Sequence, residues 1–308
     1  MSWVEKTVRR SFLFRPLVKR FIAGDTLAQA LPVAEQLLAE GYKVSLDYLG
    51  ENTLNEAEAL AAVETYMDML DRIAEVPAVA AWIAQHPDYG TAIEPLNISI
   101  KLTQCGLDQG FEFAEENFRK VLAEAKLSNN FVRIDMEASD YTQRTLDMIE
   151  KVRTDYPNTG TVLQTYLYRN DADVETVIAW KARTRLVKGA YLEPAAVAYP
   201  EKAKVDEAYV RQAKRLLDDG TYPALATQDE KIIRELNAYV AEKGIDKSGF
   251  EYHMLFGIRR DLQHSLKQEG YNVRIYVPFG VSWYPYFTRR LAERPANMWF
   301  IAKTLFKG

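Results

Sequence analysis

Short β-rich runs alternate with longer helical patterns along the whole chain, and this alternation restricts the possible folds more than any other feature. The runs lie at 42–49, 97–102, 131–136, 162–167, 186–191, 223–228, 250–255 and 273–277. Between them, stretches such as 54–76, 111–125, 141–156, 205–218, 229–242 and 259–269 repeat apolar residues every three or four positions, the period of an amphipathic helix. A strand that reaches its neighbour through a helix pairs in parallel, because an antiparallel pair needs only a hairpin. Eight such units predict an α/β fold of the TIM type, a closed (β/α)8 barrel, and 308 residues suit one such barrel. There is no GxGxxG or Walker A sequence to indicate an open nucleotide-binding sheet, and no linker long enough to divide the chain. The expected organisation is N-terminal helices over 1–41 packed on a barrel over 42–308.

The residues within the strands are more specific. Both faces of a parallel barrel strand are usually apolar, since one meets the helices and the other a packed interior. Here one face is polar. Ser99 and Lys101 alternate with Ile98, Ile100 and Leu102; Arg133 and Asp135 alternate with Val132, Ile134 and Met136. Glu251 and His253 flank Tyr252, Arg274 and Tyr276 flank Ile275, and Asp47 and Gln164 extend the set. Buried charges are costly unless they are paired or bind something. A mouth lined by Lys101, Asp135, Gln164, Arg185, Lys188 and Tyr276 therefore implies a sizeable polar ligand at the strand C-termini, where barrel enzymes place their chemistry. The alternative is an internal salt-bridge network, with Lys101 and Asp135 as its expected pair.

Charge and composition exclude other classes. A formal charge of -4 supplies no general attraction to nucleic acid, so no DNA or RNA partner is expected. A lone Cys105 excludes an internal disulfide and fits a reducing compartment. His86, His253 and His264 are far apart with no HExxH or CxxC pattern, and no metal site is expected. Without a transmembrane run or a secretory signal, the expected location is the cytoplasm. The first 22 residues mix six Lys and Arg with large apolar side chains. They are read either as a helix packed on its own domain or as a segment for peripheral contact with an anionic membrane face.

Near the C-terminus, Tyr286, Arg289, Arg290 and Glu293 share a helical face. Two adjacent guanidinium forks can hold one small carboxylate in a single orientation. The plainer reading is an exposed helix with an Arg289–Glu293 pair.

Taken with this arginine pair, the segments 98–103, 133–137, 163–169 and 185–191 (ISIKLT, RIDME, LQTYLYR and RLVKGAY) resemble those of proline dehydrogenases, in the same order and spacing from about residue 20 to the end. The resemblance implies a distorted barrel whose last helix lies over the mouth, with FAD bound inside. It implies that Lys101, Arg289 and Arg290 bind the proline carboxylate, Asp135 orients Lys101, Leu255 and Tyr276 pack on the ring, and Tyr286 and Glu293 support the arginine helix. It further implies that Arg185 lies beside the reactive edge of the flavin and that Met136, Gln164, Val187, Lys188, Gly189, Thr227 and Gln228 hold the cofactor. Lys188 can also be read as a solvated strand-end cation. Two positions depart from the pattern. Gln228 stands where the family usually has His, and His253 where it usually has Gln, which suggests an exchange between adjacent strands that keeps donors toward the cofactor.

The implied reaction is oxidation of L-proline to Δ1-pyrroline-5-carboxylate by hydride transfer to FAD, with electrons passed to a membrane quinone as the first step of proline catabolism to glutamate. Two other readings are a lyase forming a Schiff base at Lys101 or Lys188, and a catalytically silent binder of small acids.

Overall fold

In the computed structural model, residues 15–88, 90 and 92–292 are described. Eight strands, β1 (Lys43–Tyr48), β2 (Leu96–Ile100), β3 (Val132–Ile134), β4 (Thr159–Gln164), β5 (Thr184–Val187), β6 (Ala224–Ala226), β7 (Glu251–Leu255) and β8 (Asn272–Phe279), pair in chain order and in parallel. β8 closes on β1 in a register running from Lys43 opposite Arg274 to Tyr48 opposite Phe279. This is the expected (β/α)8 barrel, with a helix after every strand. The helices Glu56–Glu75, Phe111–Leu127, Ser139–Val152, Lys202–Asp219, Glu230–Lys243 and Arg260–Gln268 fall on the amphipathic stretches. Pro77–Gln85 and Asn170–Ala179 complete the outer ring, and Tyr284–Ala292 follows β8.

Local chemistry sets these boundaries. Glu56–Glu75 starts where the Asn55 side chain accepts the Glu58 N–H at 3.0 Å, while a Glu58 carboxylate oxygen accepts the Leu54 N–H at 2.8 Å. Its buried residues Ala59, Ala62, Val63, Tyr66, Met69, Leu70 and Ile73 form one stripe. β4 lies three residues earlier than its β-rich run predicted, and β5 starts two residues earlier and ends four earlier. After β5 the chain turns at Gly189, whose φ of +118° suits a residue without a side chain.

Alternation in the strands sorts the core into two parts. Val44, Leu46, Ile98, Ile100, Val132, Ile134, Leu163, Leu186 and Ile275 pack outward against the helices. The opposite faces meet inside the barrel, where the floor is ionic instead of aliphatic. Arg274 reaches Glu251 at 2.9 Å and Glu94 at 3.3 Å, and Arg183 pairs with Glu94 at 2.8 Å. Arg133, fully buried, stacks on Phe131 at 4.9 Å and donates to the main-chain carbonyls of Thr161 and Arg183.

A second apolar cluster gathers Phe21, Ile22, Leu49, Ile258, Trp283, Tyr286 and Phe287. It seats Tyr284–Ala292 over the strand C-termini and packs the helix Arg15–Phe21 against it, with the Phe21 and Phe287 rings 6.3 Å apart. Of the basic N-terminal stretch, residues 1–14 lie outside the described residues. Among the described residues no helix is long and apolar enough to cross a membrane.

Candidate active site

Between the strand C-termini and the final helix lies a cleft of about 1110 Å³, counted with the solvent at its mouth. Two sources of positive charge converge on it. Lys101 and Arg185 rise from the barrel, both almost fully buried, while Arg289 and Arg290 descend from the helix Tyr284–Ala292. Among the described residues, the cations Lys101, Arg185, Arg289 and Arg290 and the carboxylates Asp47, Glu51 and Asp135 border the cleft, while Lys188, also at its edge, pairs with carboxylates outside it.

The carboxylates divide the cations among themselves. Lys101 Nζ lies 3.0 Å from Asp47 and 4.0 Å from Asp135, so the Lys101–Asp135 pair expected from sequence is the longer of two contacts. The reason is competition: Asp135 already accepts a hydrogen bond from Arg185 Nη2 and another, at 2.6 Å, from the Tyr276 hydroxyl. Burial alone would lower the Lys101 pKa, but Asp47, Asp135 and Glu51 outweigh it, so the pKa rises and the group stays an ammonium. Burial pushes the Asp47 carboxyl up, with Asp135 adding to the effect and Lys101 opposing it.

Arg185 also donates to Ser99 Oγ at 3.4 Å and lies over the Tyr276 ring at 5.0 Å. Arg289 pairs with Glu51 at 3.0 Å and sits over Tyr191 at 5.8 Å; Arg290 lies over Tyr286 at 5.2 Å. The final helix is thereby tied to the loop after β1, while the expected intrahelical partner Glu293 lies outside the described residues.

Of the residues singled out in the sequence, Lys101, Asp135, Met136, Gln164, Arg185, Val187, Lys188, Gly189, Gln228, Leu255, Tyr276, Tyr286, Arg289 and Arg290 all line the cleft. Thr227 is not among its lining residues: it is buried and its Oγ1 accepts the Asp229 N–H at 3.1 Å, which shapes the turn that carries Gln228. Lys188 is not a solvated cation, since Asp206 and Asp229 hold it at 2.6 and 3.1 Å. His253 borders the cleft, its Nδ1 3.3 Å from Arg185 Nη1 and its Nε2 2.9 Å from Glu251 Oε1 but out of hydrogen-bonding line with it. Sequence reasoning placed Asp47 on the inward polar face without giving it a role in the site, and it left out Glu51 and Tyr191, which lie in loops where no period marks them.

The proline dehydrogenase family profile matches residues 30–303. The chain is 39% identical over 289 residues to Proline dehydrogenase 1 of Bacillus subtilis subsp. natto, covering 94% of this chain and 90% of that protein. It is 37% identical over 297 residues to the Proline dehydrogenase of Deinococcus radiodurans, covering 95% and 91%. Among solved structures, the proline utilization A protein of Bdellovibrio bacteriovorus inactivated by N-propargylglycine superposes with a TM-score of 0.82 at 26% identity. The match covers 90% of this chain and 32% of that one, so the chain spans about a third of that protein's length. Barrel, cleft and covering helix thus agree with a sequence match over most of the chain, which belongs to the proline dehydrogenase family.

Proposed function

We propose that the protein oxidises L-proline to Δ1-pyrroline-5-carboxylate with FAD as cofactor, passing electrons to a quinone as the first step of proline catabolism. The carrying observation is that cations from the final helix and the barrel rim converge on one cleft. The proline carboxylate binds among them. Charge-assisted hydrogen bonds from Arg289, Arg290 and Lys101, each contributing about 1.5–3 kcal/mol, orient that carboxylate, and Tyr276 and Leu255 supply ring contacts. A ring lacking the carboxylate would forgo these bonds, which is the basis for selectivity.

The donor set fits FAD. Gln164, Arg185, Lys188 and Gln228 follow the strand ends β4 to β6 along one side of the cleft. Gln228 also borders a second groove, whose lining mixes Lys202, Lys231 and Arg234 with Asp206, Asp229 and Glu230. When bound, FAD supplies the acceptor for the hydride that leaves the ring carbon beside nitrogen. Arg185, buried in a water-poor pocket, stabilises negative charge at that side of the site. The Schiff-base reading loses support because a nucleophilic lysine needs a lowered pKa, and Lys101 is held as an ammonium by Asp47 and Asp135.

An anaerobic titration tests this reading. The purified protein is expected to be yellow and to bleach on addition of L-proline, and Arg289→Ala and Arg290→Ala to raise the proline KM. A protein without flavin, or a flavin that proline does not reduce, refutes the activity; unchanged KM in both variants refutes the carboxylate assignment.

A further inference from the structure

Below the cleft, one chain of polar contacts leads from the barrel floor to Arg185. Arg274 Nε lies 2.9 and 3.1 Å from the two oxygens of Glu251, whose Oε1 lies 2.9 Å from His253 Nε2. On the other side of the imidazole, Nδ1 is 3.3 Å from Arg185 Nη1. The register puts His253 between Ala226 of β6 and Arg274 of β8, so the ring is enclosed by small and charged neighbours and is 2% exposed.

The tautomer follows from what these neighbours can do. A guanidinium has only donors, so a nitrogen facing Arg185 must be bare to form a hydrogen bond. A carboxylate has only acceptors, so the nitrogen facing Glu251 carries the proton, although its N–H axis is turned from the direct line to the oxygen. Both neighbours select the same neutral form. Burial, reinforced by the positive charges of Arg185 and Arg133, works against a second proton, with Glu251 opposing.

We propose that His253 is a positioning residue for Arg185: fixed as the Nε2-protonated imidazole, it accepts from Nη1 while Asp135 accepts from Nη2, so the guanidinium is held at both branches beneath the site. Among the described residues, only Ser99 Oγ, at 3.4 Å, is left for Nη1 if the imidazole is removed. A Gln here retains an acceptor, its side-chain carbonyl; a Leu of similar bulk does not. The catalytic consequence rests on the role of Arg185 proposed above, whereas the tautomer does not.

Two measurements test the proposal. Long-range proton–nitrogen correlation spectra of the holoprotein with ¹⁵N-labelled histidine, assigned by the signal lost in His253→Gln, are expected to show an unprotonated Nδ1 and a protonated Nε2. In steady-state kinetics, His253→Leu is expected to lower kcat for L-proline by about tenfold with KM within about twofold, and His253→Gln to stay within about threefold of the native enzyme. A protonated Nδ1 overturns the proposal, as does equal activity of the Leu variant and the native enzyme, or an equal loss in both variants. If His253→Leu does not fold, the spectra and His253→Gln decide. If the native protein does not oxidise proline, the activity reading fails while the spectra still test how the imidazole meets Arg185.

Discussion

Replacing Glu94 by Gln tests whether the ionic barrel floor holds the strands in place. Glu94 accepts from both terminal nitrogens of Arg183, at 2.8 and 2.9 Å, from Arg274 at 3.3 Å and from Asn97 at 2.8 Å, and is 3% exposed. Burial raises its pKa, but Arg183 and Arg274 outweigh burial and bring it from 4.5 to about 2. A shift of this size corresponds to about 3 kcal/mol, at the lower edge of the 3–5 kcal/mol typical when one partner of a buried ion pair is removed. The folded pKa is depressed, so this stability is fully present above the unfolded value near 4.5 and is lost as pH falls through 2. Urea unfolding of the native protein and Glu94→Gln should therefore show a gap of about 3 kcal/mol at pH 7 that narrows steadily below pH 4.5. A gap under about 1 kcal/mol at pH 7, or one that does not change with pH, refutes the reasoning.

Glu137 should behave oppositely. Burial raises its carboxyl to about 7 against the pull of Thr103 and Lys101, so its stability share is present below 4.5 and lost as pH rises through 7. Glu137→Gln should stabilise the protein by up to about 3 kcal/mol at pH 8 and leave it unchanged near pH 4; urea unfolding at the two pH values decides. In Gly189→Ala, a Cβ 2.5 Å from the Tyr166 ring at a φ of +118° should displace the loop carrying Lys188 and Tyr191. The measure is the flavin-to-protein ratio after gel filtration, expected to fall; an undiminished ratio separates this loop from cofactor binding. Tyr276→Phe removes the 2.6 Å bond to Asp135 and should lower kcat/KM for L-proline about tenfold without loss of flavin, whereas a change under twofold denies that bond a role.

Every feature carried by a short period could be read from residue order alone. The strand and helix repeats gave eight βα units, and the polar alternation in β2, β3, β7 and β8 identified the face that turns inward, because a side chain's direction from a strand depends only on its own backbone. The adjacent arginines marked the helix that borders the cleft for the same local reason. Partnership among the inward side chains was decided by the closed barrel. Lys101 lies between two carboxylates presented by β1 and β3, and it bonds to Asp47 because Arg185 and Tyr276 already occupy Asp135. Glu51 meets Arg289 across 238 positions of chain, and His253 faces Arg185 across 68. No local pattern records such distances. They follow from strand register and barrel closure, which bring distant charges to the same height in a water-poor interior where each must find a partner.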